Sequence, residues 1–187
     1  MAKKAEKRLA LKALREERTR EKAARQFINP NPGRSIVEGA AVDPRRVVPD
    51  TKLSPQRRLM CWDRKIEDVE GQWSWGAPRK CSQDHWNDIV YPFLTEYEKK
   101  SWGEIDTERT GKGKRRRKKH VHYPFDRLID EAYERLIKLE LDDFATSIFR
   151  FRLSGLQRLF GFRIPATAMF HMVWFDPEHR LYKQQPS

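Results

Sequence analysis

The residues between Phe149 and Lys183, FRFRLSGLQRLFGFRIPATAMFHMVWFDPEHRLYK, alternate arginines with aromatic rings and set a histidine inside the last apolar run. A guanidinium grips two phosphate oxygens at once, and an imidazole moves protons near neutral pH. Together they suit catalysis at a phosphodiester, where charge must be neutralised and a proton transferred. Arg152, Arg163 and His171 are the candidate catalytic set, with His179 or Tyr182 as a second proton-transfer group. The plainer reading is that outward strand positions are often Arg, because the stem covers apolar surface while the head stays in water. For His179, in the DPEH turn, the plainer role is to hold that turn by a side-chain hydrogen bond.

Strand periodicity positions these groups. In a strand successive side chains alternate faces, so Phe149, Phe151 and Leu153 share one side and Arg150 and Arg152 the other. The same count places Phe160 and Phe162 inward with Arg163 outward, and Phe170, Met172 and Trp174 inward with His171 outward. Arg152, Arg163 and His171 are therefore expected on one outer face of an antiparallel meander, with turns at Ser154–Gly155 and Pro165–Thr167.

A second chemistry lies in the run GKGKRRRKK at 111–119, where Lys112, Lys114, Arg115, Arg116, Arg117, Lys118 and Lys119 make dense phosphate neutralisation possible. Binding through such a run falls steeply with salt. Its competing readings are a solvated loop or a nuclear import signal. Lys3, Lys4, Lys7 and Arg8 belong to a basic arm over 1–27. The whole chain carries 39 Lys and Arg against 27 Asp and Glu, for a net charge of +12 over 187 residues. Arm and run hold the excess and leave the rest close to neutral, so the attachments favour a polyanionic partner.

Several classes find no support. There is no glycine-rich phosphate loop, nucleophile elbow or HExxH helix, so nucleotide hydrolysis and acyl transfer lack their motifs. Cys61, Cys81, His85, His120 and His122 follow no zinc-finger spacing, and neither metal nor cofactor is expected. Six tryptophans suit a core better than a base-stacking surface. No apolar run spans a bilayer and the N-terminus has no secretion signal, which predicts a cytoplasmic protein with its two cysteines as thiols and no membrane partner.

The supporting elements divide the chain into a helix-forming basic arm (1–27), a proline-rich linker (28–58), a folded domain (59–183) and a tail (184–187). Within the domain, RLMCWDRKIEDVEGQWSWG suggests two strands around a turn at Glu70–Gly71. SQDHWNDIVYPFLTEYEKKSW suggests a helix capped by Ser82 and kinked at Pro92, and PFDRLIDEAYERLIKLEL a second helix. The basic loop at 107–122 lies between them, too densely charged for regular packing. The expected fold is α+β, an antiparallel sheet with two helices on its inner face and cations on its outer face.

The blocks SWGEI (101–105), LDDFATSIFRFRLSG (141–155), RLFGFR (158–163) and FHMVWFDPEH (170–179), in this order, resemble a group of small bacterial proteins. Those share an Arg-rich hairpin and a closing Trp-(Trp or Phe)-Asp-Pro-(Glu or Asn)-His, and the likeness covers roughly residues 60–183. Their helices followed by an antiparallel meander are in turn similar to RelE/ParE-type toxins. That resemblance implies a RelE-like domain that binds RNA on the ribosome and cleaves message by attack of the substrate's own 2′-hydroxyl, with an antitoxin protein as a possible partner. Two further classes compete. One is a non-enzymatic RNA-, ribosome- or DNA-binding accessory protein, the other a structural component of a larger assembly.

Overall fold

The computed structural model describes residues 53–143 and 145–182, together with Ala10, Ala13, Glu16 and Glu17. The chain divides into two units at Pro44 and Arg45, and the four described residues of the first are helical and exposed. Most of the basic arm, the linker up to residue 52 and the tail lie outside the described residues. Residues 53–58, read from sequence as linker, belong to the domain. Pro55–Arg57 forms a 3-10 turn, and the Arg58 guanidinium donates to the carbonyls of Leu53, at 2.8 Å, and Ala166.

Five strands form the main sheet in the order β1-β7-β6-β5-β4: β1 Cys61–Asp63, β4 Val121–Pro124, β5 Ser147–Arg152, β6 Arg158–Ile164 and β7 Met169–Asp176. The sheet is mixed, which corrects the expectation of a purely antiparallel one. β1 runs parallel to β7 at one edge, and the other pairings are antiparallel. A parallel neighbour needs a long crossover, and here nearly the whole domain supplies it. Over residues 64–80, where a second strand is expected, there is only the isolated antiparallel bridge between Gln72 and Pro78. The segment after β1 is an irregular loop secured by Asp68, whose carboxylate receives Arg135 at 2.7 and 2.9 Å and the Trp174 indole N–H at 3.0 Å.

The first helix, α1, is a run of three segments, Gln83–His85, the π-helical Trp86–Val90 and Tyr91–Tyr97. Ser82 caps it, its Oγ accepting the His85 N–H at 3.2 Å. Pro92 has no N–H to give the preceding turn, and the wide π turn sits just before it. Helix α2, Trp102–Thr107, is started by a capping box in which Ser101 and Glu104 satisfy each other's backbone N–H groups. Helix α3 is Asp130–Lys138.

α1 and α2 cover one face of the sheet. Trp102 meets Phe149 and Phe151 with ring centroids at 5.5 and 6.0 Å, and Tyr97 meets Phe151 at 5.5 Å. α3 belongs to the other face. Its Tyr133 contacts Phe125, which contacts Phe162, and its Arg135 shares Asp68 with Trp174. Helices on both sides leave β5, β6 and β7 buried over most of their length. The single wet outer face inferred from sequence therefore does not exist as such.

Register explains the difference. The β5–β6 turn pairs Arg152 with Arg158 and Phe149 with Gly161, which puts Phe160 and Phe162 opposite to Phe149 and Phe151 rather than beside them. Between β6 and β7 the register then slips at Phe160/Gly161, Trp174 pairing with Phe160 but Met172 with Gly161. Val173 is the extra residue, so Met172 and Trp174 face opposite ways. Gly161 sits at this irregularity because a Cβ there would run into the His171 carbonyl and the Phe170 ring.

The basic loop is ordered, contrary to the expectation from its charge. Arg109–Thr110 (β2) and Arg117–Lys118 (β3) pair as an antiparallel hairpin closed by the turn Gly113–Arg115. Among the described residues no helix is long and apolar enough to cross a membrane.

Candidate functional site

The three residues assigned to one catalytic face are dispersed. Arg163 lies on the α1/α2 face, its Cζ 4.2 Å from the Trp102 ring centroid and its Nη1 2.8 and 2.9 Å from the two carboxylate oxygens of Asp106. His171 is buried, and its Nδ1 is 2.8 Å from Asp63 Oδ1 on β1. Burial pushes the Asp63 carboxyl up, but the hydrogen bond and charge of His171 outweigh it and hold it below the usual range. Both residues are committed to the fold. Register puts Arg163 on the opposite face from Arg152, whereas His171, paired with Phe162 and Asp63, shares the Arg152 face but lies two strands away, towards the other end of the sheet.

Arg152 instead lies in a cleft of about 460 Å³ with Arg150, Arg158, His179, Tyr182 and Tyr123, walled by Thr110, Arg117 and Lys118 of the hairpin and by Arg127. Arg150 and Arg152 project from one side of β5, and Arg158 is the direct cross-strand neighbour of Arg152. Like charges in that position repel. Among the described residues none of the three meets a carboxylate at ion-pair distance. Arg150 donates to the hydroxyls of Tyr123 at 3.2 Å and Tyr182 at 3.5 Å and to the Lys119 carbonyl at 3.1 Å. Arg152 donates to Thr110 Oγ1 at 3.1 Å, and Arg158 to the carbonyls of Gly155 and Gln157 at 2.9 and 2.7 Å. Arg150 and Arg158 are only 8% and 4% exposed, and the Nε of each is buried without a partner. Burial first, then the charges of Arg150 and Arg152, push the Arg158 guanidinium down to about 10. Burial likewise lowers Arg150, with Arg152 and Arg117 adding to it.

His179 and Tyr182 come together at the rim. Asp176 holds the turn that carries them, accepting the Glu178 N–H at 3.3 Å and the Leu181 N–H at 2.9 Å, so His179 is not the residue that fixes it. The strap is pinned to the segment before α3 through the Ile129 N–H and the Leu181 carbonyl at 3.1 Å. His179 has a left-handed backbone, φ 64°, which turns its ring edge-on to Tyr182 at 4.3 Å, with Nδ1 3.5 Å from the hydroxyl. Burial, then Arg158, Arg150 and Arg152, push the imidazole down to about 4. It is neutral at neutral pH and able to accept a proton.

A buried network fixes the hairpin wall. Glu108, between α2 and β2, receives Lys100 at 2.7 Å, the Tyr97 hydroxyl at 2.7 Å and Lys119 at 2.9 Å, and lies 3.2 Å from His120 Nε2. Burial pushes Glu108 up, but these four donors win and hold it far below the usual carboxylate range. His120 Nδ1 accepts the Arg152 backbone N–H at 3.1 Å, so the proton of the neutral ring resides on Nε2. Burial depresses His120 to about 4. One imidazole thus joins the hairpin anchor to the strand bearing Arg150 and Arg152.

Of the basic run, Lys112, Lys114, Arg116, Arg117 and Lys118 are exposed, whereas Lys119 is engaged by Glu108 and Tyr97. The side chain of Arg115, and all of Lys3, Lys4, Lys7 and Arg8, lie outside the described residues. Sequence reasoning did not single out Arg150, Arg158, Tyr123, Thr110 or Arg127. Counting back from the Ser154–Gly155 turn with Arg152 and Arg158 as its closing pair would have found the arginine trio. Compared with known protein families, with curated proteins and with solved structures, the chain finds no match.

Proposed function

We propose that the domain is a RelE-like endoribonuclease whose cleft grips one phosphodiester of a message, with the ribosome as the setting implied by the sequence resemblance. The observation that carries this reading is the trio Arg150, Arg152 and Arg158, two of them buried, with no carboxylate at ion-pair distance among the described residues. Removing an ion from water costs several kcal/mol, roughly, and the cost is offset only when an opposite charge arrives. A phosphate meeting three guanidinium groups supplies it, and the same groups stabilise the extra charge of a pentacoordinate transition state.

In this mechanism the substrate 2′-oxygen attacks phosphorus and the 5′-oxygen leaves, giving a 2′,3′-cyclic phosphate and a free 5′-hydroxyl. The 2′-hydroxyl proton passes through the Tyr182 hydroxyl to neutral His179, and the imidazolium so formed returns it through Tyr182 to the departing 5′-oxygen, which restores neutral His179. Arg163 and His171 take no part. The exposed hairpin cations guide the flanking backbone.

Cleavage of ribosome-bound message by the purified full chain tests this, with Arg152→Ala and His179→Ala as companions. Cyclic-phosphate ends lost in both variants are the expected result. One observation favours a non-enzymatic binder instead, namely that His179 Nε2 is buried without a partner, leaving only the Tyr182 side of the ring towards the cleft. In that case the arginine variant loses RNA binding, no cut appears with any form, and His179→Ala changes nothing.

A further inference from the structure

Tyr123 has no role in the proton path, yet its ring stands in the same cleft as the arginine trio. It projects from β4, the edge strand of the sheet, and is half-buried. One side of the ring meets Tyr182 at 4.8 Å between centroids with a 38° tilt. Arg150 lies over both tyrosine rings, its Cζ 5.1 and 6.0 Å from their centroids, and donates to their hydroxyls at 3.2 and 3.5 Å. Tyr182 and Arg150 thus hold the Tyr123 ring in place where it lines the cleft. A cleft of about 460 Å³ is also larger than one phosphate needs and falls within the usual range for small-ligand sites, about 300–1,000 Å³.

We infer that Tyr123 is a base-stacking residue: the cleft takes a nucleotide whose phosphate rests on Arg150, Arg152 and Arg158 and whose unpaired base lies on the Tyr123 ring. Every nucleobase has a π face, so such a platform tolerates any sequence but requires a base free of its duplex. This inference rests on the phosphate-binding reading of the cleft and adds the base to it.

The test uses the full chain and a fluorescently labelled 12-nucleotide single-stranded RNA, the same strand abasic at its central positions, and inorganic polyphosphate. Wild type is expected to bind the base-bearing strand about ten to a hundred times more tightly than the abasic one. Tyr123→Leu should lose that preference while holding polyphosphate as before, and Tyr123→Phe, which keeps the ring, should restore it. Equal affinity of wild type for the two strands overturns the inference without reference to any variant. A preference that survives Tyr123→Leu, or that is lost equally in Tyr123→Phe, also overturns it, since the hydroxyl bond to Arg150 would then be the relevant interaction. Failure of wild type to bind RNA or polyphosphate at all instead removes the phosphate-binding reading on which it stands.

Discussion

Two populations of arginine share this domain and are treated in opposite ways. Arg64, Arg135 and Arg163 each meet a carboxylate, of Glu67, Asp68 and Asp106 respectively, at 2.6 to 2.8 Å. Arg150, Arg152 and Arg158 meet carbonyl and hydroxyl oxygens and one another's field. The first group fastens loops and helices to the sheet. In the second, burial and the neighbouring guanidinium groups push Arg150 and Arg158 down. Arginine content alone does not distinguish them, but the identity of the partner does.

The comparison can be broken most sharply at Arg158 and Arg135. Arg158→Met, an apolar replacement of similar reach, should reduce RNA binding or cleavage at least about a hundredfold by removing a charge-assisted hydrogen bond to phosphate. It should leave stability unchanged or raise it by about 1–2 kcal/mol, because a buried ion is replaced by an apolar group. Arg135→Ala should do the reverse. It removes the two close donors of buried Asp68, leaving the Trp174 N–H and Arg79 at 3.8 Å, and costs about 3 kcal/mol, read as a lower denaturant midpoint, while RNA affinity at permissive temperature stays the same. A fall in stability for Arg158→Met would show that the trio is structural after all.

Acidification sharpens the contrast next. His120 is depressed from 6.5 to about 4 in the folded state. Its contribution is therefore complete above about pH 6.5 and lost as the pH falls towards 4, where the unfolded chain binds the extra proton. Urea midpoints should decline across that window, by on the order of 3 kcal/mol, and His120→Gln should flatten the decline. His179 is held near 4 by burial and by the trio. Its NMR titration should therefore move upward when polyphosphate neutralises those arginines, and Arg158→Met should produce part of that shift without ligand. The smallest effect belongs to the exposed hairpin. Replacing Lys112, Lys114 and Arg116 by Ala should flatten the salt dependence of RNA binding by roughly 0.7 for each phosphate no longer neutralised, with little change in stability.

Much of the fold was readable locally. Ser82 followed by an apolar 3.6-residue pattern marked α1, the Leu and Ala spacing marked α3, and the Arg-aromatic alternation marked β5. His179 and Tyr182 were named from residue type and Arg152 by parity within its own strand, and these three share the cleft, whereas Arg163 and His171 were added by counting parity through one and two turns. Parity fails for Arg163 because the turn after Leu153 sets which residues pair, and for Trp174 because the extra residue Val173 inverts the faces, whereas His171 does share the Arg152 face but lies two strands away, a distance parity does not give. The hairpin at 109–118 was unreadable for another reason. Its base is closed by Glu108, whose four donors, Tyr97, Lys100, Lys119 and His120, come from α1, the segment before α2 and the segment entering β4.

By itself the amino-acid order determined the inventory: an α+β domain, strands carrying arginine between aromatic rings, a cationic run and a proline-bounded turn bearing a histidine. Those follow from periodicity and side-chain chemistry within a few residues, which act wherever the segment lies. Tertiary structure alone decided which arginines would find carboxylates and which would be left facing one another. That choice depends on strand register and on helices packing against both faces of the sheet, and so on interactions between residues far apart in the chain.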